Sequence, residues 1–207
     1  MILMYKKFIK RLLDFSLAGS GLLLLFPLLL ALGAAIKIDS PGPLLFKQKR
    51  VGKSKDHFDI LKFRTMRTDT PKDMPTHLLQ NSEMYITDVG KFLRKTSLDE
   101  LPQLINIIKG EMSIIGPRPA LWNQYDLIKE RDKYGANDVL PGLSGWAQIN
   151  GRDELSIKEK ARYDGEYVRR QTFLFDLQCF IGTFTYVLTK KGIVEGNSEH
   201  EKEKGQS

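Results

Sequence analysis

Cysteine and histidine are nearly absent from this sequence: Cys179 is the one thiol, and His57, His77 and His200 are the three imidazoles in 207 residues. A lone cysteine cannot close an internal disulfide, and no Cys or His spacing resembles a zinc site, so a cross-linked scaffold and a zinc-held fold are excluded. This usage fits a soluble part facing a reducing compartment, the cytoplasm. None of the histidines has a partner at metal-ligand or catalytic-triad spacing, and each is read as a surface residue. Nothing in the length suggests a second core, which leaves a membrane segment and one modest globular domain. Acid is also short: 25 Asp and Glu against 32 Lys and Arg give a net charge of +7 and a pI near 9.4. That balance suits anionic lipid, phosphorylated substrates or nucleic acid without choosing among them.

Charge is missing altogether from Phe15 to Ile36, a run that reaches the roughly 20 residues a membrane-spanning helix needs. A cleavable signal peptide is the competing reading. The length of the run, its lack of a convincing small-residue cleavage site and its direct passage into motif-bearing sequence argue against it. Pro27 lies mid-run, where it removes a backbone hydrogen bond and is expected to bend the helix. The limbs Phe15 to Phe26 and Pro27 to Ile36 are then each roughly 15 to 18 Å long, enough to enter hydrocarbon but not to cross it. Lys6, Lys7, Lys10 and Arg11 precede the run, and Lys37, Lys47, Lys49, Arg50, Lys53 and Lys55 follow it. Both ends therefore read as cytoplasmic. On the residues alone a kinked spanning helix and a re-entrant one both remain open.

Beyond the apolar run, Leu44 to Arg50 and His57 to Arg64 are β-leaning segments separated by a polar connection with Gly52, which predicts a hairpin. Thr68 to Thr87 is polar, carries Pro71 and Pro75 and lacks periodicity, so a loop able to act as a lid is expected. Leu101 to Lys109 has helical spacing, with Leu101, Leu104, Ile105 and Ile108 on one face and Gly110 as the stop. Ser97 to Glu100 fits a capping box, but Pro102 would then fall inside the helix without a needed N–H. A start at Asp99 places Pro102 in the free first turn and sets Asp99 and Glu100 at a helix N-terminus. The glycine-punctuated segment Pro141 to Arg152 reads as a shaped loop for a ligand or as a structural turn. Leu155 to Arg170 reads as a charged surface helix, and Thr172 to Leu188 as an apolar, aromatic one for the core or the membrane interface. Residues 193–207 are polar and expected to be disordered.

The adjacent acids Asp99 and Glu100 lie in basic surroundings, a pattern that suits a divalent cation and a nucleophile; alternatively they merely serve a helix end. Arg118, between Pro117 and Pro119, has little backbone freedom and can meet a phosphate bidentately. At Lys10-Arg11 with Asp14, Ser40-Pro41-Gly42-Pro43, Phe46-Lys47-Gln48 and Lys62-Phe63-Arg64-Thr65-Met66 the chain resembles the bacterial sugar transferases. The likeness continues at Ser97-Leu98-Asp99-Glu100-Leu101-Pro102-Gln103, Gly116-Pro117-Arg118-Pro119, Pro141-Gly142-Leu143 and Asn150-Gly151-Arg152. These are the small monotopic phosphoglycosyl transferases, similar to the enzyme that initiates bacterial N-linked protein glycosylation. One departure is Phe26, where the family often has a serine or proline before the bending proline.

The resemblance implies an α+β, helix-rich monotopic membrane protein. It would have a re-entrant helix bent at Pro27 within residues 1–39, a catalytic domain over 40–192 with a small β-hairpin and amphipathic interface helices, and a tail over 193–207. It implies a transferase for substituted phosphate groups that moves a sugar-1-phosphate from a UDP-sugar to polyprenyl (undecaprenyl) phosphate and releases UMP. By resemblance Asp99 is the nucleophile, forming an aspartyl phospho-sugar, and Glu100, with Asp99, ligates Mg²⁺. The family's phosphate-handling residues fall on Lys62, Arg94, Arg118 and Arg152. The implied partners are the two substrates and the phospholipid membrane, with no nucleic acid, and the implied place is the cytoplasmic face of the bacterial inner membrane. The motifs leave the sugar and the oligomeric state open. The readings from other classes are a membrane-tethered polyanion-binding module and a metal-dependent phosphatase acting on a lipid pyrophosphate.

Overall fold

A computed structural model describes residues 4–70, 82–151 and 154–189. Its first element is a π-helical turn, Tyr5–Ile9, leading into helix α1, Lys10–Asp39. The helix continues through Pro27 and ends at Ser40, whose extended backbone suits a residue that precedes proline. Its buried positions are Lys10, Asp14, Ala18, Leu32, Gly33 and Ile36, a stripe at helical spacing interrupted around Pro27. Ala18 and Leu22 pack with Phe58, Leu104 and Ile107, whereas Leu29, Leu32 and Ile36 pack with Phe63 and Leu93. Leu23, Leu24, Phe26, Leu28 and Leu30, surrounding the proline, are exposed. Both halves of the helix thus rest on the same globular body, and the apolar middle faces outward.

The expected hairpin is present as β1, Leu45–Val51, paired antiparallel with β2, His57–Phe63, in register from Leu45 opposite Phe63 to Val51 opposite His57. The connection turns through Ser54 and Lys55, both at positive φ. His57 is exposed, in keeping with its reading as a surface residue. The segment expected as a lid falls largely outside the described residues, at 71–81. What is described of it is more ordered than the sequence suggests: a 3-10 turn, Ser82–Tyr85, and a bridge between Ile86 and Met66. Helix α2, Asp88–Thr96, was not evident in the sequence; the Thr87 hydroxyl caps it by accepting from Gly90 N at 3.0 Å.

Helix α3 begins at Gln103 rather than in the acidic pair, and runs to Lys109, where Gly110 at φ +91° ends it. Leu98–Glu100 forms a separate 3-10 turn closed by Leu101 N to Leu98 O at 3.3 Å. The capping box is absent: Ser97 sits at φ +57°, ends α2 by donating its N–H to Arg94 O, and makes no side-chain cap. The buried face of α3 is Gln103, Leu104, Asn106 and Ile107, not the purely apolar stripe expected. Asn106 explains the difference, because its side chain serves the hairpin: Leu61 N donates to Oδ1 at 3.0 Å, and Nδ2 donates to Asp59 O at 2.9 Å.

A short parallel pair, β3 Ser113–Ile115 and β4 Gly142–Ser144, brackets α4, Tyr125–Asp132. One helical turn, α5 Trp146–Ile149, lies inside the glycine-punctuated segment. Helix α6, Ile157–Arg170, opens with a true capping box between Ser156 and Glu159. Helix α7, Phe173–Thr189, has two faces. Phe175 and Cys179 join Ile115 and Tyr167 in a core cluster, while Phe173, Leu174, Leu177, Phe180, Ile181 and Phe184 are exposed. The expectation of disorder over 193–207 lies outside the described residues. The fold is α+β, mainly helical, with a small antiparallel hairpin and one apolar N-terminal helix.

Buried charge ties the start of α1 to the body. Asp176 accepts hydrogen bonds from Tyr5 Oη at 2.5 Å and Lys10 Nζ at 2.8 Å, and Tyr167 Oη lies 2.8 Å from its other oxygen. Asp14 accepts from Ser113 Oγ at 2.7 Å and Ile114 N at 3.0 Å. These bonds fix β3, the strand that leads directly into Gly116-Pro117-Arg118-Pro119.

Candidate active site

Three separate pieces of chain meet at the acidic pair. Lys62 comes from β2, Asp99 and Glu100 from the 3-10 turn, and Arg118 from the loop after β3. The tight turn follows from Ser97, whose left-handed backbone reverses the chain between α2 and α3, and from Pro102, which cannot extend an α-helix backwards. Lys62 Nζ is 2.7 Å from Glu100 Oε1 and 3.8 Å from Asp99 Oδ2, and Arg118 Nη2 donates to the same Glu100 oxygen at 2.9 Å. The carboxylates expose 13% of their side-chain surface and Lys62 17%, so the cluster is largely withdrawn from water while Arg118, at 30%, reaches its rim.

Withdrawal shifts the acid and base in opposite directions. Burial pushes the Asp99 carboxyl above its usual range; Lys62 is the main opposing influence, Glu100 adds to the rise, and Arg94 and Arg118 resist it. Burial likewise lowers the Lys62 ammonium, with Glu100 and then Asp99 holding it up. Cations are therefore required to keep Asp99 ionised. The arrangement presents a carboxylate with two or three positive groups beside it, which is what a nucleophile needs to approach an anionic phosphate.

Of the phosphate-handling residues expected from the sequence, Lys62 and Arg118 are in direct contact with the acidic pair, and Arg94 on α2 acts on Asp99 through its charge. Arg152 lies outside the described residues. Pro27 is exposed in the outward-facing middle of α1 and takes no part in this cluster. Among the described residues no group of three or more His, Cys, Asp or Glu could cage a metal. Two adjacent carboxylates alone fit magnesium, which commonly takes one or two protein carboxylates and completes its shell with water and substrate phosphate.

Sequence reasoning passed over Arg50, which the structure places next to this cluster. Its Nη1 donates to Pro119 O at 3.0 Å and its Nη2 to Gln48 Oε1 at 2.5 Å. Its position two residues after the quoted Phe46-Lys47-Gln48 motif was the available signal. It was hidden among the lysines of the same strand, which the fold leaves exposed.

The chain matches the family model described as "Bacterial sugar transferase" over residues 5–190. It is 38% identical over 194 residues to the uncharacterized sugar transferase EpsL of Bacillus subtilis, covering 91% of this chain and 92% of EpsL. It is 42% identical over 193 residues to the UDP-glucose:undecaprenyl-phosphate glucose-1-phosphate transferase of Escherichia coli, covering 89% of this chain and 41% of that enzyme. The exopolysaccharide production protein ExoY of Rhizobium meliloti is 34% identical over 197 residues, with 88% and 87% covered. The chain thus spans nearly all of EpsL and ExoY but about two fifths of the E. coli enzyme. With almost its whole described length under one family match, and the acids and cations of its motifs gathered into one cluster, this chain belongs to the bacterial sugar transferase family.

Proposed function

We propose that the protein transfers a sugar-1-phosphate from a UDP-sugar to undecaprenyl phosphate and releases UMP, with Asp99 as the nucleophile. The observation that carries this reading is the withdrawn acidic pair held by Lys62 and Arg118. The relatives add the reaction class: those from E. coli and Xanthomonas campestris bear the name UDP-glucose:undecaprenyl-phosphate glucose-1-phosphate transferase.

An Asp99 oxygen forms a bond to the β-phosphorus of the donor. The bond from that phosphorus to the bridging oxygen breaks, and UMP departs with the electron pair. An oxygen of undecaprenyl phosphate then attacks the same phosphorus and the Asp99 carboxylate is regenerated, so no proton need be moved. Lys62, Arg94 and Arg118 hold the diphosphate oxygens and offset charge as the leaving group separates. Asp99 and Glu100 would also hold magnesium, which supplies charge neutralisation to the diphosphate.

The acceptor requires the site to sit at a lipid surface. Helix α1 is long and apolar enough to cross a membrane by length and composition. Support for a monotopic, re-entrant insertion is that both its halves pack on one body while the segment around Pro27 is bare. A spanning helix would separate its ends by about 30 Å of hydrocarbon, which a charged domain cannot follow. The exposed apolar face of α7 suits a further contact with lipid, as an interface helix. Charge flanking α1 sets the domain on the cytoplasmic face.

Asp99→Asn is expected to abolish UMP release and UMP exchange into UDP-sugar in the absence of acceptor, while membrane association is kept. Retained turnover rejects the nucleophile. Free phospho-sugar in place of a lipid-linked product would instead mark a phosphatase.

A further inference from the structure

Arg50 stands at the end of β1, on the edge that β2 does not use. There the backbone pairs with the segment that follows Arg118: Arg50 bridges Leu121 and Val51 N donates to Ala120 O at 2.9 Å. The side chain reaches back along the same segment to Pro119 O at 3.0 Å. Pro117 and Pro119 remove two of the soft torsions flanking Arg118. The backbone flanking Arg118 is then held at two carbonyls, Pro117 O, which accepts from Gly142 N at 2.8 Å, and Pro119 O, which Arg50 holds, while the fork itself donates to Glu100.

Its electrostatics point the same way. Both hydrogen-bond acceptors of Arg50, a carbonyl and an amide oxygen, are neutral, and its Nε is buried without a partner. Burial first and the Arg118 charge second destabilise the Arg50 cation, and Glu100 alone opposes them. Arginine does not answer such pressure by releasing its proton; the strain is instead relieved when an anion arrives. Around the pair Asp99 and Glu100 stand Arg50, Lys62, Arg94 and Arg118, so the cluster is in cationic excess and favours a phosphate ester over a neutral ligand.

We propose that Arg50 is a positioning residue for capture of the donor phosphates, holding the Pro119 carbonyl so that the Arg118 fork is aimed before the ligand binds. The inference rests on the proposed donor site. It assigns Arg50 an effect that passes through Arg118 rather than through the stability of the hairpin.

The test is a double-mutant cycle on the full chain in lipid vesicles, reading the dissociation constant of UMP with magnesium present. Arg118→Gln and Arg50→Gln are each expected to weaken UMP by on the order of 10- to 100-fold, the scale of a lost charge-assisted hydrogen bond. Together they should cost little more than Arg118→Gln alone. A fold defect would multiply the two losses and lower the unfolding midpoint equally in both backgrounds. Multiplicative losses, or an Arg50→Gln variant that binds UMP normally, overturn the proposal. If Arg118→Gln itself leaves UMP binding unchanged, the donor-site reading fails, and Arg50 falls with it. Should the Gln variant not accumulate, Arg50→Lys enters the same cycle; it keeps the charge but loses the fork, and the same non-additivity is required of it.

Discussion

The polar knot at the base of α1 allows its energetics to be worked out bond by bond. Asp176 is 7% exposed and Lys10 8%, and their 2.8 Å contact is a buried ion pair. Asp176→Leu removes one partner only. Lys10 is left with Asp14 at 3.8 Å, and Tyr5 Oη loses its acceptor, whereas Tyr167 Oη can turn to Ile115 O at 2.9 Å. A buried charge that loses its close partner costs about 3 to 5 kcal/mol; Asp14 offsets part of this and the Tyr5 hydroxyl adds about 1 kcal/mol, so a loss of about 4 kcal/mol is expected. Lys10→Met in the same chain removes that cation, and Asp14 then keeps Ser113 Oγ and Ile114 N as its partners. The double variant should recover part of the loss and retain a deficit of about 2 kcal/mol, from the Tyr5 hydroxyl and from the Asp14 carboxylate left without its cation. Denaturant unfolding of the full chain in detergent, followed by tryptophan fluorescence, reads this directly, because Trp146 packs 4.9 Å from Phe175, one residue before Asp176. A single variant within about 1 kcal/mol of the parent, or a double as costly as the single, would refute the reasoning.

Lys62→Met removes the main influence that keeps Asp99 ionised against burial. More of the carboxyl is then protonated at any given pH, so the acid limb of UMP exchange must move to higher pH; a limb that stays or moves down contradicts the assignment. Gly90→Ala would place a Cβ 2.1 Å from Thr65 O. Backbone cannot yield as a flexible side chain does, and about 3 kcal/mol of stability should be lost in the same unfolding assay as α2 is forced off the segment that follows β2. Asn106→Leu orphans Leu61 N and Asp59 O and is expected to cost about 2 kcal/mol, with faster amide exchange at Leu61 as the local signature.

The apolar helix, the hairpin and the acidic pair were legible in the sequence because each is encoded by near neighbours: an uncharged run, two β-leaning segments around a glycine-bearing turn, and adjacent acids flanked by proline. Helix α2 was not legible. Its stability comes from a Thr87 cap and from Gly90 lying flat on Thr65, contacts that no periodicity announces. The start of α3 was misplaced for a related reason, since a 3-10 turn and a first α-helical turn differ by one hydrogen-bond partner and have similar composition. Resemblance supplied Lys62 as a candidate, and the flanking prolines pointed to Arg118; that the two share one Glu100 oxygen is a tertiary fact.

Sequence by itself therefore determined what chemistry is available, through a membrane-length apolar helix, a pair of carboxylates and an excess of cations. Tertiary structure decided which cations stand at the carboxylates. It joined Lys62 to Glu100 across 38 positions and Arg118 across 18, and it set Arg50 beneath the Arg118 loop. Burial and charge act through space, and only packing brings distant side chains within a few ångströms in a medium dry enough for their fields to matter.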